Sequence, residues 1–249
     1  MEPLLKVIHL KKNYHDTDDE IKAIEDISFD VLDNEFISIV GPSGCGKSTL
    51  LSVLAGLENK SDGEIIFKKS NPKIGYMLQK DSLFPWRTIL ENCYLGLEIN
   101  HSLNEQSKQR VLSLLKTYGL GEFINKYPNS LSGGMRQRVA LIRTLATDPD
   151  ILFLDEPFSA LDYQTRLALS DDVYNILKQE GKTAIMVTHD LAEAISISSR
   201  IIVMTKRPAK IKRIYSIEMT NQSTPINNRK CKEFSSYYDQ IWRDLDVHL

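Results

Sequence analysis

The chain has 249 residues, 42% apolar and 26% charged, with 31 Lys and Arg against 33 Asp and Glu for a formal charge of −2. At roughly 150 residues per domain this is one large domain or two small ones, and the composition excludes wholesale disorder. The near-neutral balance argues against nucleic acid as a partner, which needs a basic face. Three scattered cysteines, Cys45, Cys93 and Cys231, suit neither a disulfide framework nor a zinc site; the reducing cytosol is the expected compartment. The start MEPLLKVIHLKK lacks the apolar stretch of a signal peptide. The longest apolar runs, such as ILFL at 151–154, fall far short of the about 20 residues that span a bilayer, so the chain is expected not to cross a membrane by itself.

Strands are predicted at 5–14, 21–32 and 35–40, which are rich in Ile and Val and alternate or run apolar. EFISIV ends at Gly41, a glycine-rich turn follows, and a helix is predicted from near Lys47 through LLSVLAGL at 50–57. Further strands fall at 64–67 and 74–79. From Thr88 to about Ala146 the pattern turns helical, with Val111, Leu114, Leu115 and Tyr118 on one face. Strands return at 151–155, 183–187 and 200–204, short and apolar without clean alternation, as when both faces of a parallel sheet are covered. A strand at 210–217 precedes Phe234, Tyr237, Tyr238, Ile241, Trp242 and Leu245, which recur at helical spacing. The expected fold is α/β: a mostly parallel central sheet from 1–87 and 147–249, an N-terminal antiparallel β subdomain, an inserted helical subdomain at 88–146 and an amphipathic helix at 230–246. All are parts of a single domain over 1–249.

GPSGCGKST at 41–49 has the P-loop pattern, with Gly41, Gly46, Lys47 and Ser48 at its defining positions. Such a loop curls its backbone N–H groups around phosphate oxygens, and the helix that follows adds its positive end. Pro42, Ser43, Gly44, Cys45 and Thr49 complete the expected nucleotide contact, Cys45 as a packing residue. Lys47 would reach the β- and γ-phosphates, and the Ser48 hydroxyl would ligate Mg²⁺. ILFLDEP supplies the carboxylates: a buried strand with Asp155 and Glu156 at its C-terminal tip, the edge where open α/β sheets bind ligands. Asp155 can hold the metal, and Glu156 can polarise the attacking water.

LSGGMRQRVALIRTLA reads as a second helix start, with Ser132 as N-cap. Gly133 and Gly134 leave its first turn bare, an anion site. Two phosphate devices with one carboxylate pair are explained economically by two copies of the chain enclosing each nucleotide from opposite sides.

Taken in order, GPSGCGKST, LSGGMRQR, ILFLDEP, SALD and VTHD resemble the ATP-binding cassette family of ATPases over about residues 5–215. The resemblance implies a homodimer that sandwiches two ATP molecules head to tail. It implies that Gln79 links Mg²⁺ and the attacking water to the helical insert and that Asp162 lies in a loop crossing the dimer interface. His189 would contact the γ-phosphate and Tyr14 would stack on adenine; Tyr14 could instead cover a strand edge. With no fused spanning segment, no long coiled coil and one cassette, the remaining reading is the energising subunit of a bacterial-type importer. The alternative is a soluble, nucleotide-gated interaction module without a permease.

DSLFPWRTILEN at 81–92 places Phe84 and Trp86 where the family receives a short helix of a membrane permease; the two rings could instead anchor the insert, or divide the roles. The wording of this stretch and of EFSSYYDQIWRDLD is most similar to the nitrate, sulfonate, taurine and bicarbonate importer branch. That implies a small solute, an indirect solute-binding protein and a place on the inner face of the cell membrane.

Overall fold

The computed structural model describes residues 2–15, 20–159 and 161–245. In chain order it holds β1 (Leu5–His15), β2 (Glu20–Val31), β3 (Phe36–Val40), α1 (Lys47–Leu54), β4 (Asp62–Phe67), β5 (Ile74–Met77), α2 (Ile89–Ile99), α3 (Glu105–Thr117) and α4 (Gly133–Leu145). There follow β6 (Ile151–Asp155), α5 (Tyr163–Gln179), β7 (Thr183–Val187), α6 (Leu191–Ile197), β8 (Arg200–Met204), β9 (Ala209–Ser216), α7 (Pro225–Asn228) and α8 (Lys232–Asp244). The end of the helix expected at 230–246, and Ala160 of the SALD motif, lie outside the described residues.

The elements group into two units, Met1–Pro72 with Thr183–Leu249, and Lys73–Lys182. The helical stretch at 88–146 falls inside the second. In the first unit the strand order is β4-β1-β2-β9-β8-β3-β7. β1 pairs antiparallel with β2 and β4, whereas β3 lies parallel between β7 and β8, with Ile37 opposite both Ile185 and Arg200. FISIV, TAIMV and RIIVM are buried along nearly their whole length, which is why they lack alternation. β2 exposes Glu20, Ile21 and Lys22 but buries Ala23, Ile24, Ile27, Phe29 and Val31, the pattern of a sheet with one wet face.

Helix α8 lays Ile241, fully buried, onto a cluster of Leu191, Ala194, Ile195, Tyr215 and Ile217, with Phe234, Tyr237, Tyr238 and Leu245 packed at its edges. The second unit pairs β5 and β6 in parallel, Ile74 beside Ile151 and Met77 beside Leu154. Its core includes the fully buried Phe153 and Phe158.

Three boundaries differ from the sequence expectation. Helix α1 stops at Leu54, because Gly56 takes a left-handed φ of 72° and turns Leu57 out to solvent. β5 stops at Met77, which leaves Gln79 on the following loop. The helical third is divided by caps: the Thr88 hydroxyl accepts the Glu91 N–H while the Glu91 carboxylate accepts the Thr88 N–H, and Asn104 and Ser107 repeat the reciprocal arrangement before α3.

Ile241→Ala is expected to lower stability by about 2–5 kcal/mol, the cost of a buried aliphatic truncation that leaves a cavity. Urea unfolding of the two proteins measures it; a change within about 0.5 kcal/mol, typical of a surface site, would show that α8 stands outside the cooperative core.

Candidate functional site

In the first unit the chain leaves β3 at Val40, passes through Gly41–Gly46 and enters α1 at Lys47. Gly44 and Gly46 sit at φ 70° and 114°, where a side chain would strain the loop. Gly46 occupies the N-cap without a side chain to cap α1. The orphan N–H groups of that helix start and its dipole together form an anion cradle. At Gly41 a Cβ would come within 2.9 Å of Cys45 Sγ and 3.1 Å of Met204 Cβ. Cys45 is thus packed beneath the loop, and burial pushes its thiol up from its ordinary value, which keeps it unreactive.

The Lys47 ammonium is nearly buried and donates to the carbonyls of Gly41 at 2.8 Å and Pro42 at 3.1 Å. These bonds hold it across the loop it belongs to. Ser43 and Ser48 are exposed on the loop and the first helical turn. Tyr14 stands beside Thr49 at the start of α1. Its hydroxyl donates to Glu58 at 2.5 Å, and Lys12 lies 4.5 Å from its ring centre. Burial and the Glu58 carboxylate raise its pKa, against a hydrogen bond with Thr49 that lowers it.

His189 is exposed on the loop between β7 and α6. It shares a cleft of about 600 Å³ with Gly41, Pro42, Ser43, Lys206, Tyr238 and Trp242. The first unit therefore assembles the P-loop and His189 around one cavity. Lys206 and Arg207 were not singled out from the sequence, yet Lys206 lines that cavity and Arg207 donates to the Gly44 carbonyl at 3.0 Å. The basic run KRPAK was the available signal.

In the second unit Asp155, at the tip of β6, accepts the Tyr76 hydroxyl at 3.3 Å. Glu156 follows at φ 45°, a left-handed conformation that costs a non-glycine residue about 1–3 kcal/mol and gathers at functional sites. Its carboxylate accepts from Gln79 Nε2 at 3.3 Å, which also donates to Ser159 Oγ at 3.1 Å. Gln79 and Glu156 are thus brought together from two strand ends.

Residues of α4 that the sequence reading passed over hold the Gln79 loop. Gln137, buried, donates to the Gln79 carbonyl at 3.3 Å, and Arg136 pairs with Asp81 at 3.0 Å. Arg143 donates to the carbonyls of Asp81 and Ser82. Arg136 and Arg143 are seven residues apart, hence on one helix face, and that was the legible sign.

The Ser132 hydroxyl caps α4 by accepting the Met135 N–H at 3.3 Å. A Cβ on Gly133 would lie 3.0 Å from Leu161, and one on Gly134 would lie 2.8 Å from Thr165. These glycines allow α4 to approach α5 closely, besides leaving the first turn bare. Asp162 caps α5 through the Thr165 N–H at 3.0 Å, and hydrogen bonds from Thr165, side chain first, hold its carboxyl below the usual range. Of the two rings in the Phe84–Trp86 segment, 5.0 Å apart, Phe84 is half-buried and Trp86 is 70% exposed. The segment is pinned by fully buried Asn92, which accepts the Phe84 N–H and donates to the carbonyls of Phe84, Arg87 and Thr88.

No helix of the described residues is long and apolar enough to cross a membrane. Residues 24–159 match the family described as ABC transporter. The uncharacterized ABC transporter ATP-binding protein YtlC of Bacillus subtilis is 46% identical over 97% of this chain and 95% of its own length. The aliphatic sulfonates import ATP-binding protein SsuB of Bacillus anthracis is 41% identical over 83% of this chain and 82% of its own length. A solved dimeric ATP-binding cassette, in a post-hydrolysis state bound to ADP and Pi, superposes with a TM-score of 0.72 at 32% identity, covering 86% of this chain and 99% of that one. The fold is that of a P-loop NTPase, and the chain belongs to the ABC transporter family, as an ATP-binding cassette ATPase.

Proposed function

We propose that the chain is the ATP-hydrolysing subunit of an importer that takes up a small nitrate-, sulfonate- or taurine-like solute through a separate membrane permease. The observation that carries the catalytic part is Glu156, held at a strand tip beside Gln79. The importer part is supported by relatives such as SsuB, named for aliphatic sulfonate import.

The P-loop suits a triphosphate: the backbone N–H groups of the loop and of the start of α1 donate to phosphate oxygens, and Lys47 swings from its own loop carbonyls to the β- and γ-phosphates. Ser48, Asp155 and Gln79 are oxygen donors, the chemistry Mg²⁺ prefers, and that ion is ordinarily completed by substrate phosphates. Bound there, Mg²⁺ would supply positive charge to the β- and γ-phosphate oxygens. Glu156 accepts a proton from the attacking water, Gln79 orients the pair, and His189 donates to the γ-phosphate. Tyr14 stacks on adenine. Ser132, Gly133 and Gly134 of a second copy close on the same γ-phosphate, and Asp162 lies at that dimer interface. The exposed Trp86 ring, on its pinned segment, is the surface offered to the permease on the inner face of the membrane; a solute-binding protein would act only through that permease.

Glu156→Gln is expected to keep ATP binding but slow hydrolysis about a hundredfold or more, the scale of a positioned acid–base group, and to accumulate an ATP-bound dimer. Phosphate release and size-exclusion chromatography with ATP read both; a monomer at saturating ATP would remove the sandwich. Ser132→Arg should abolish hydrolysis while the single subunit retains its ATP affinity, measured by calorimetry, since Ser132 serves the other copy's nucleotide. Capture of tagged Glu156→Gln protein from solubilised membranes with ATP should bring down a multi-spanning protein. Self-association alone would point to a soluble gated module.

A further inference from the structure

Three residues, Thr188, Asp190 and Glu193, lock the backbone on both sides of His189. The Thr188 N–H donates to the carbonyl of Ile39 at 3.2 Å, on the strand that runs directly into the P-loop. The Thr188 hydroxyl donates to Glu193 Oε2 at 2.8 Å and accepts the Asp190 N–H at 3.1 Å. Asp190 Oδ1 in turn accepts the Glu193 N–H at 3.0 Å and so caps α6. Thr188 is 2% exposed and Glu193 3% exposed, while His189 between them is exposed.

Glu193 is a buried acidic residue on a helix whose other buried positions include Leu191, Ala194, Ile195 and Ile197, and a buried carboxylate is costly unless it is hydrogen-bonded. To Thr188 the carboxylate supplies direction. A carboxylate only accepts, so it fixes the single hydroxyl proton of Thr188 and leaves the hydroxyl lone pair for the Asp190 N–H. The frame behind it is firm: α6 is packed against α8, and the buried Asn228 amide donates to the Ser196 carbonyl at 2.7 Å.

We infer that Thr188 and Glu193 are positioning residues that hold His189 at the γ-phosphate and register its loop to the P-loop strand. The inference rests on the proposed contact of His189 with the γ-phosphate. Displacement of a catalytic side chain by about 1 Å can cost on the order of a hundredfold in rate, so the effect belongs to kcat rather than to ground-state binding.

The test compares kcat and MgADP affinity, the latter by calorimetry, for Thr188→Val, Thr188→Ser, His189→Ala and the double variant Thr188→Val/His189→Ala in the full chain. Thr188→Val should lower kcat on the order of tenfold or more, with MgADP affinity unchanged within about twofold. Thr188→Ser, which keeps the hydroxyl, should restore most of the rate. With His189 already removed, adding Thr188→Val should change kcat by less than about twofold, because residues that act through one another are non-additive. An equal loss in both backgrounds, or an undiminished kcat in Thr188→Val beside a crippled His189→Ala, would overturn the inference and leave the His189 contact standing. An undiminished His189→Ala would remove that contact, and the inference with it. Should Thr188→Val fail to fold, Glu193→Gln reads the same coupling. It keeps the volume but adds a donor that competes for the Thr188 lone pair, so its loss of kcat should likewise vanish in the His189→Ala background, and persistence there would overturn the inference.

Discussion

A parallel strand covered on both faces can present chemistry only where it ends. β3, β6 and β7 are buried nearly throughout, so the polar groups they can offer to a ligand lie at or just past their C-terminal tips: the P-loop after β3, Asp155 and Glu156 at β6, and Thr188 with His189 after β7. Gln79, two residues beyond β5, obeys the same rule. Each unit thereby carries its share of the proposed catalytic groups on the loops that leave its own strands. The helices serve as backing that decides how those loops are held.

The backing differs between the units. In the first, the loops are held mostly by backbone and by buried side chains: Lys47 on loop carbonyls, Thr188 on β3, and Cys45 wedged under Gly41. In the second, the Gln79 loop is held by long cations of α4, with Arg136 and Arg143 each spanning to the Asp81–Ser82 turn. Planar guanidinium groups suit that duty because they bond several acceptors in fixed directions at once. A loop suspended from a neighbouring helix by side chains can follow that helix when it moves, whereas a loop wedged on its own sheet cannot.

Much of this was legible in the sequence wherever local chemistry dictates local shape. Apolar runs of four or five residues marked the strands, glycines at fixed spacing marked the phosphate cradle, and Ser132 announced a helix start. What escaped reading depends on partners far along the chain. Nothing in VTHDLAEA says that Glu193 is buried and bonded to Thr188; the helical spacing would equally put it on a wet face. Asp162 was placed by resemblance, and its role as the cap of α5 needed the helix boundary. The early ends of α1 and β5 came from Gly56 and from the turn after Met77, breaks that a run of apolar residues conceals. Phe84 and Trp86 looked alike on paper, and only their places in the fold separated the half-buried ring from the exposed one.

The chain has two tryptophans, and the fold sends them to opposite duties. Trp242 lines the cleft shared by the P-loop and His189, stacked 6.0 Å from Tyr238, whereas Trp86 stands open beside Phe84 on the pinned segment. If nucleotide enters that cleft and a permease docks at the Phe84–Trp86 segment, as proposed, each event would have an indole of its own close by. Replacing either ring with phenylalanine would leave the other as the chain's single indole.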